Sequence, residues 1–399
     1  MKKSRYIASL FLIVLLIVSI VGCGQSGQQS TQPSSTDSSS GTKAAPIKLG
    51  LVGPMTGPNA QAGNDMKNGA EMAIKEINNA GGINGHMLEL IVEDDRSVPA
   101  ESVSAMENVI RQGIVGVIGT FNSSCTIANM EVAKREGVPQ ITVSAADSIT
   151  QKGNQYMFRH HPYTTMFAEG MVDYIAKNLK NIKTLAILGE NTDYGLGIIK
   201  SITDLGAKNG IKVVDVQNYN PGDTDFYSQL TKVKAKNPDG ILIAGDRTEG
   251  AQIVRQGKEL GLDKKQWFGF LSMSTYDFHK LAGGAEDGMI VVSCFEPVES
   301  NPVSIKFYDN VMKELGVSPS MHLAISYDAV YLFAEALKGI DYNEDLAAYR
   351  KATRDQLAKI KDFPGVLGKI TFGPDGQADI QVFVAQWKGG KKVVLFPTS

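Results

Sequence analysis

The chain has 399 residues, 43% of them hydrophobic and 21% charged, which is enough apolar material for two domains of ordinary size. The formal net charge is −2, from 40 basic and 42 acidic side chains, and no basic stripe interleaved with aromatics occurs, so nucleic acid is excluded as an expected partner. The spacing of Cys125 and Cys294 establishes no disulfide, and both are expected as free or buried thiols.

Residues 1–22 open with Lys2, Lys3 and Arg5 and continue as an apolar core from Ile7 to Val21, the pattern of a secretory signal. Ile20-Val-Gly-Cys23 resembles the lipobox of bacterial lipoproteins, which implies cleavage before Cys23 and a lipid on its sulfur. The leader holds three of the 40 basic residues and none of the 42 acidic ones, so the remaining chain carries a net −5. Residues 23–45 are rich in Gly, Gln, Ser and Thr and bury nothing, so they read as a flexible tether.

From Ile47 strands and helices alternate. Ile47 to Val52 is a strand closed by Gly53-Pro54, and Met66, Ala70, Ala73, Ile74 and Ile77 recur at helical spacing before Gly81-Gly82. Met87 to Val92 is a strand, and Pro99 opens a helix striped by Val103, Met106 and Ile110. Val115 to Gly119 and Val138 to Val143 are buried strands flanking a helix whose pattern opens near Thr126. A second run follows: a helix over Thr164–Leu179, then strands at Thr184–Leu188, Ile211–Val216, Gly240–Ala244, Trp267–Phe270 and Met289–Val292, with helices over Leu196–Lys208, Asp223–Lys236 and Glu249–Leu260. Three helices, Val303–Leu315, Met321–Leu337 and Leu346–Ile360, then precede short β segments at Gly368–Phe372, Ile380–Gln386 and Lys392–Phe396. The fold class is α/β, doubly wound, and the strand-poor tail must pack on sheets built earlier. The expected body is therefore two lobes around a cleft, residues 46–163 with 297–370 and residues 164–296 with 371–399, closing by hinge motion.

The loops after two first-lobe strands carry the most suggestive chemistry. Thr120-Phe-Asn-Ser-Ser124 and Ser144-Ala-Ala-Asp-Ser148 lie at carboxyl ends of strands, where open α/β sheets hold ligands. Free N–H groups at a helix start, helped by serine hydroxyls, suit a carboxylate; ordinary Ser/Asn capping is the plain alternative. Tyr194 and Asp246 follow second-lobe strands and are placed to offer an aromatic lid and a counter-charge. No P-loop, G-x-S-x-G, H-E-x-x-H or paired C-x-x-C occurs, and Gly195-Leu-Gly197 reads as helix-start packing. His160 and His161 are adjacent and so expected on opposite faces, one exposed and one packed at a hinge, which leaves no metal site. Glu93-Asp-Asp95 reads more readily as a solvated strand end than as an acid/base cluster, and Cys125 as a buried filler more readily than a nucleophile.

Leu51-Val-Gly-Pro-Met-Thr-Gly57, Asn68-Gly-Ala-Glu-Met-Ala-Ile-Lys-Glu-Ile-Asn78, Gly81-Gly-Ile-Asn-Gly85 and Glu93-Asp-Asp95 resemble the leucine/isoleucine/valine-binding proteins. So do Val117-Ile-Gly119, Ser123-Ser124, Phe158-Arg159, Tyr194-Gly195 and Leu281-Ala-Gly-Gly284. The resemblance spans nearly all of Pro46 to Ser399 and implies a type I periplasmic-binding-protein fold, two Rossmann-like lobes joined by three crossovers. It implies an extracytoplasmic receptor of an ABC importer, not an enzyme: a monomer without cofactor, held to the membrane by its lipid at Cys23. Its partners would be permease subunits and an amino acid, branched-chain or otherwise apolar; the location is the outer face of the cytoplasmic membrane, or the periplasm. Ser123 would take the carboxylate, beside Phe121 and Ser124. Ala145, Ala146 and Asp147 would offer backbone groups, and Tyr194 would press from the second lobe. Ala62 stands where an aromatic is usual, Ala146 or Asp147 where a threonine is, and Leu271 or Ser272 where an acid meets the ammonium. Asp246 or Asp147 is then left to supply the negative charge. The same family offers receptors for amides, urea or aromatic acids, and the same clamshell serves ligand-sensing receptors in signalling.

Overall fold

The computed structural model describes residues 44–398, and those from Ala44 onward form one compact unit. The expected signal, the lipid site at Cys23 and nearly all of the tether lie outside the described residues. Among the described residues no helix is long and apolar enough to cross a membrane.

The first run is β1 (Ile47–Gly53), α1 (Ala60–Asn79), β2 (Leu88–Asp94), α2 (Pro99–Arg111), β3 (Gly116–Ile118), α3 (Ser123–Arg135), β4 (Gln140–Ile141), α4 (Ser148–Gln151) and β5 (Met157–Phe158). Its strands form a parallel sheet in the order β2-β1-β3-β4-β5. The second run is α5 (Thr164–Asn178), β6 (Thr184–Glu190), α6 (Asp193–Lys208), β7 (Lys212–Tyr219), α7 (Tyr227–Lys236), β8 (Gly240–Ala244), α8 (Arg247–Glu259) and β9 (Gln266–Gly269). After a 3-10 turn at Leu271–Ser274 come α9 (Tyr276–Ala282) and β10 (Ile290–Ser293). The tail adds α10 (Pro302–Leu315), α11 (Met321–Lys338), α12 (Leu346–Leu357), the small hairpin β11 (Phe363–Gly365) and β12 (Gly368–Ile370), then β13 (Val382–Lys388) and β14 (Lys391–Thr398). The second sheet has the order β14-β13-β10-β9-β8-β6-β7, with β13 and β14 antiparallel on an otherwise parallel sheet. Helices cover both faces, so a central strand such as β8 reads Gly-Ile-Leu-Ile-Ala with every residue buried.

The tail helices return to the first sheet. A side chain at Gly69 of α1 would lie 2.1 Å from the Leu323 carbonyl oxygen, so α1 and α11 meet backbone to backbone. Ala70, Ala73 and Ile77 of α1 and Leu323 and Ala324 of α11 belong to one apolar core, and the hydroxyls of Tyr327 and Tyr331 both donate to Glu76 Oε2, at 2.6 and 2.7 Å. The chain thus passes between the sheets three times: after β5, after β10 and after β12.

The histidine pair and the acidic run at the end of β2 differ from the sequence reading. His160 and His161 are both buried, because the first crossover is wedged between α11 and the third: His160 Nε2 lies 3.1 Å from the Ile325 carbonyl, and Gln377 Nε2 donates to the His161 carbonyl at 2.8 Å. Burial pushes His160 down to about 4 and His161 well below its usual value. Asp95 is likewise buried rather than solvated. It accepts the Ser97 N–H at 3.0 Å, while Asp94 takes those of Met55 (2.8 Å) and Arg96 (2.9 Å), so this acidic run staples the loops beyond β1 and β2.

Candidate functional site

A cavity of about 230 Å³ lies where the carboxyl ends of strands from both lobes face one another. On the first lobe β3 ends at Ile118, and α3 begins at Ser123, three residues earlier than its apolar pattern suggests. Ser123 and Ser124 therefore occupy the first helical turn. The N-cap, Asn122, makes no side-chain capping bond, so the first-turn N–H groups keep their donors unmet beside the cavity. A web of hydroxyls holds this loop against the one after β4. Ser144 Oγ donates to the Thr120 carbonyl at 2.8 Å, lies 2.7 Å from Thr126 Oγ1, and Thr126 Oγ1 accepts the Thr120 N–H at 3.2 Å. Ser123 Oγ accepts the Ala146 N–H at 3.2 Å, which leaves its own hydroxyl proton to donate.

Arg159 stands behind this cradle. Its Nη1 donates to the carbonyls of Ala146 (2.8 Å) and Ser144 (3.2 Å), its Nη2 to Thr150 Oγ1 (2.8 Å) and its Nε to Gln377 Oε1 (2.7 Å). All are neutral oxygens, and burial lowers its pKa to about 9, so it remains a cation at neutral pH. The second turn thus has a positive charge at its back.

The second lobe supplies acids. Glu190 ends β6 and Asp246 caps the start of α8; the Asp246 N–H donates to Glu190 Oε2 at 3.1 Å, and Ser272 Oγ donates to Asp246 Oδ1 at 2.8 Å. Burial first, then the Asp246 charge, pushes Glu190 up to about 9. Burial also raises Asp246, against the opposing hydrogen bond from Ser272. Gly195 lets the first turn of α6 rest on these strand ends, since a Cβ there would meet the Glu190 carbonyl at 2.2 Å and the Ala244 carbonyl at 2.9 Å. That seat places Tyr194 on the cavity wall, from a helix rather than from the end of the strand. The remaining wall includes Phe121, Val143 and Leu271, with His322 of α11 set edge-on to Phe121, ring centroids 5.0 Å apart.

Six of the expected residues meet here: Phe121, Ser123, Ser124, Ala145, Tyr194 and Asp246. Ala146 and Asp147 instead line a neighbouring cavity. Asp147 has helical backbone leading into α4, which turns its carboxylate onto the N–H (3.1 Å) and hydroxyl of Thr165 in α5. Glu190 and His322 were missed. Glu190 carries the same strand-end signal as Asp246, whereas His322 reaches the site from a helix whose local pattern shows only burial. Among the described residues no group of three His, Cys, Asp or Glu side chains is arranged to hold a metal ion.

The profile of the periplasmic binding protein family matches residues 46–392. A leucine-, isoleucine-, valine-, threonine- and alanine-binding protein of Pseudomonas aeruginosa is 33% identical over 296 residues, 73% of this chain and 78% of that protein. The chain belongs to the leucine/isoleucine/valine-binding protein family. Within that family, the Leu/Ile/Val-binding protein BraC3 of Rhizobium johnstonii is 30% identical over 351 residues, 88% of this chain and 94% of that one. The branched-chain amino acid transporter substrate-binding protein LivJ of Streptococcus pneumoniae, solved with isoleucine, superposes with a TM-score of 0.81 at 29% identity, covering 88% of this chain and all of that one. These relatives are solute-binding proteins rather than enzymes. Fold and family so agree with the two lobes and three crossovers seen here.

Proposed function

We propose that this protein is the extracytoplasmic solute receptor of an ABC importer, that it closes on an apolar α-amino acid, and that it delivers this ligand to a membrane permease from a lipid anchor at Cys23. One observation carries the ligand class. The cavity has unmet backbone N–H donors at the start of α3 on one side, the carboxyls of Glu190 and Asp246 on the other, and apolar walls between. A carboxylate suits the first end, an ammonium the second, and an aliphatic side chain the rest. Its volume of about 230 Å³ lies below the roughly 300–1,000 Å³ of drug-sized pockets, which suits a molecule the size of one amino acid. The names of the Pseudomonas and Streptococcus relatives support the same class. An aromatic acid or a simple amide would leave the acidic end without a cation.

A thermal-shift panel of the amino acids at millimolar concentration tests this reading. A ligand that binds only the native state raises the unfolding midpoint, so leucine, isoleucine or valine should shift it. A flat response across the panel removes the amino-acid assignment.

A further inference from the structure

We propose that Glu190 is a ligand-binding residue that selects for a cationic group, and that it surrenders a proton to solvent when that group enters the cleft. The inference rests on the amino-acid reading above and adds a residue and a proton to it.

Glu190 is 3% exposed yet lines the cavity, with Oε2 occupied by the Asp246 N–H. The groups around it are acidic or neutral. From α8 come Asp246 and Glu249, from α6 Tyr194, and from β7 Tyr219, whose hydroxyl is buried with no hydrogen-bond partner. A buried cation, Arg247, follows Asp246 in the chain and acts on Asp246, on Asp65 of α1 and on His322 of α11, and both its terminal nitrogens lack hydrogen-bond partners. His322, the imidazole on the cavity wall, is held neutral by burial. The Arg247 charge favours an ionised Asp246, and a second buried carboxyl beside that anion has no cation of its own, so in the closed, unliganded cleft Glu190 keeps its proton.

An arriving ammonium reverses that balance. The O–H bond of the Glu190 carboxyl breaks, the electron pair stays on oxygen, and the proton leaves to bulk water while the ammonium takes its place. The bound state then holds one proton fewer than the empty protein plus ligand, so affinity rises with pH as long as Glu190 in the empty protein remains protonated. A ligand without a cation gains nothing from ionising Glu190.

Calorimetric titration of the purified protein with L-isoleucine at pH 7, in phosphate and in Tris, reads the proton directly from the difference in heat. About one proton released per ligand is expected, with affinity rising by up to about tenfold per pH unit from pH 6 to 8. Glu190→Gln should abolish the release and weaken isoleucine binding about tenfold or more at pH 8. 3-Methylpentanoate, the same carbon frame without its ammonium, should release no proton. Isoleucine binding with heat independent of the buffer would overturn the inference and leave the receptor assignment standing, and the wild-type measurement alone suffices for that. A neutral amide that binds more tightly than isoleucine, and better at pH 6 than at pH 8, would show Glu190 acting as a hydrogen-bond donor and also overturn it. No heat with any amino acid would remove both.

Discussion

Ser124 Oγ donates to Asp193 Oδ2 at 2.8 Å, joining the first turn of α3 in one lobe to the first turn of α6 in the other. The bond exists only while the cleft is shut, so it favours the closed form over the open one. Asp193 does not line the cavity. Asp193→Ala should therefore weaken amino-acid binding about fivefold, since a hydrogen bond of this kind contributes about 1 kcal/mol, and most of the loss should appear as faster dissociation. Stopped-flow release of bound ligand is the measurement. An unchanged off-rate would mean that this contact does not hold the lobes together.

Ser123 has two tasks, accepting the Ala146 N–H and offering its own proton to the cavity. Ser123→Ala leaves a buried N–H unmet, which should cost about 1–3 kcal/mol of stability in denaturant titrations. Carboxylate ligands should lose affinity by at least about tenfold.

Arg159 fastens the turn at Ser144–Ala146 to the first and third crossovers. Lysine lacks the guanidinium fork and cannot reach all four oxygens at once. Arg159→Lys should lower stability by about 2–4 kcal/mol, from several buried acceptors losing their donors, as read by urea unfolding. A variant as stable as the parent would show that neighbouring groups re-pair those oxygens.

The protonation of His322 is linked to folding. Burial, reinforced by Arg247, depresses it to about 3, while the unfolded chain titrates near 6.5. The unfolded state therefore takes up a proton first as pH falls, so the contribution of neutral His322 is complete above pH 6.5 and is lost progressively toward pH 3. At pH 5 the loss is about 2 kcal/mol, from about 1.4 kcal/mol per pH unit. His322→Gln escapes it. The stability gap between wild type and variant should narrow by about that amount from pH 7.5 to pH 5 in denaturant titrations; a gap independent of pH would refute the linkage.

Cys125 and Cys294 are free and buried, and burial raises both thiols. Neither should react with a thiol reagent in the folded protein, and both should do so in guanidinium, as mass spectrometry of labelled peptides would show. Cys125→Ala should leave ligand binding unchanged.

Local pattern was enough for the alternating strands and helices, because a run such as Gly240–Ala244, short, rich in Ile and followed by Gly245, reads as a strand covered on both faces. It was also enough to point at Ser123, Tyr194 and Asp246, since residues just past strand ends share one edge of a parallel sheet. Local pattern did not decide the start of α3: its first turn has few apolar residues, and hydroxyls of Ser123 and Thr126 tie it to the loop after β4. Nor did it separate Asp147 from Asp246, two acids at comparable places. One is drawn aside by Thr165 of α5, the other is held at the cavity by Ser272 and the Glu190 strand end. The buried His160–His161 pair owes its environment to α11 and the third crossover, more than 150 residues away, and that crossover also supplies Gln377 to Arg159, while His322 meets Phe121 from a distant helix. Periodicity reports which face of an element is covered, whereas the partner that covers it is chosen by packing between distant segments, and the charge balance of this cleft is set there.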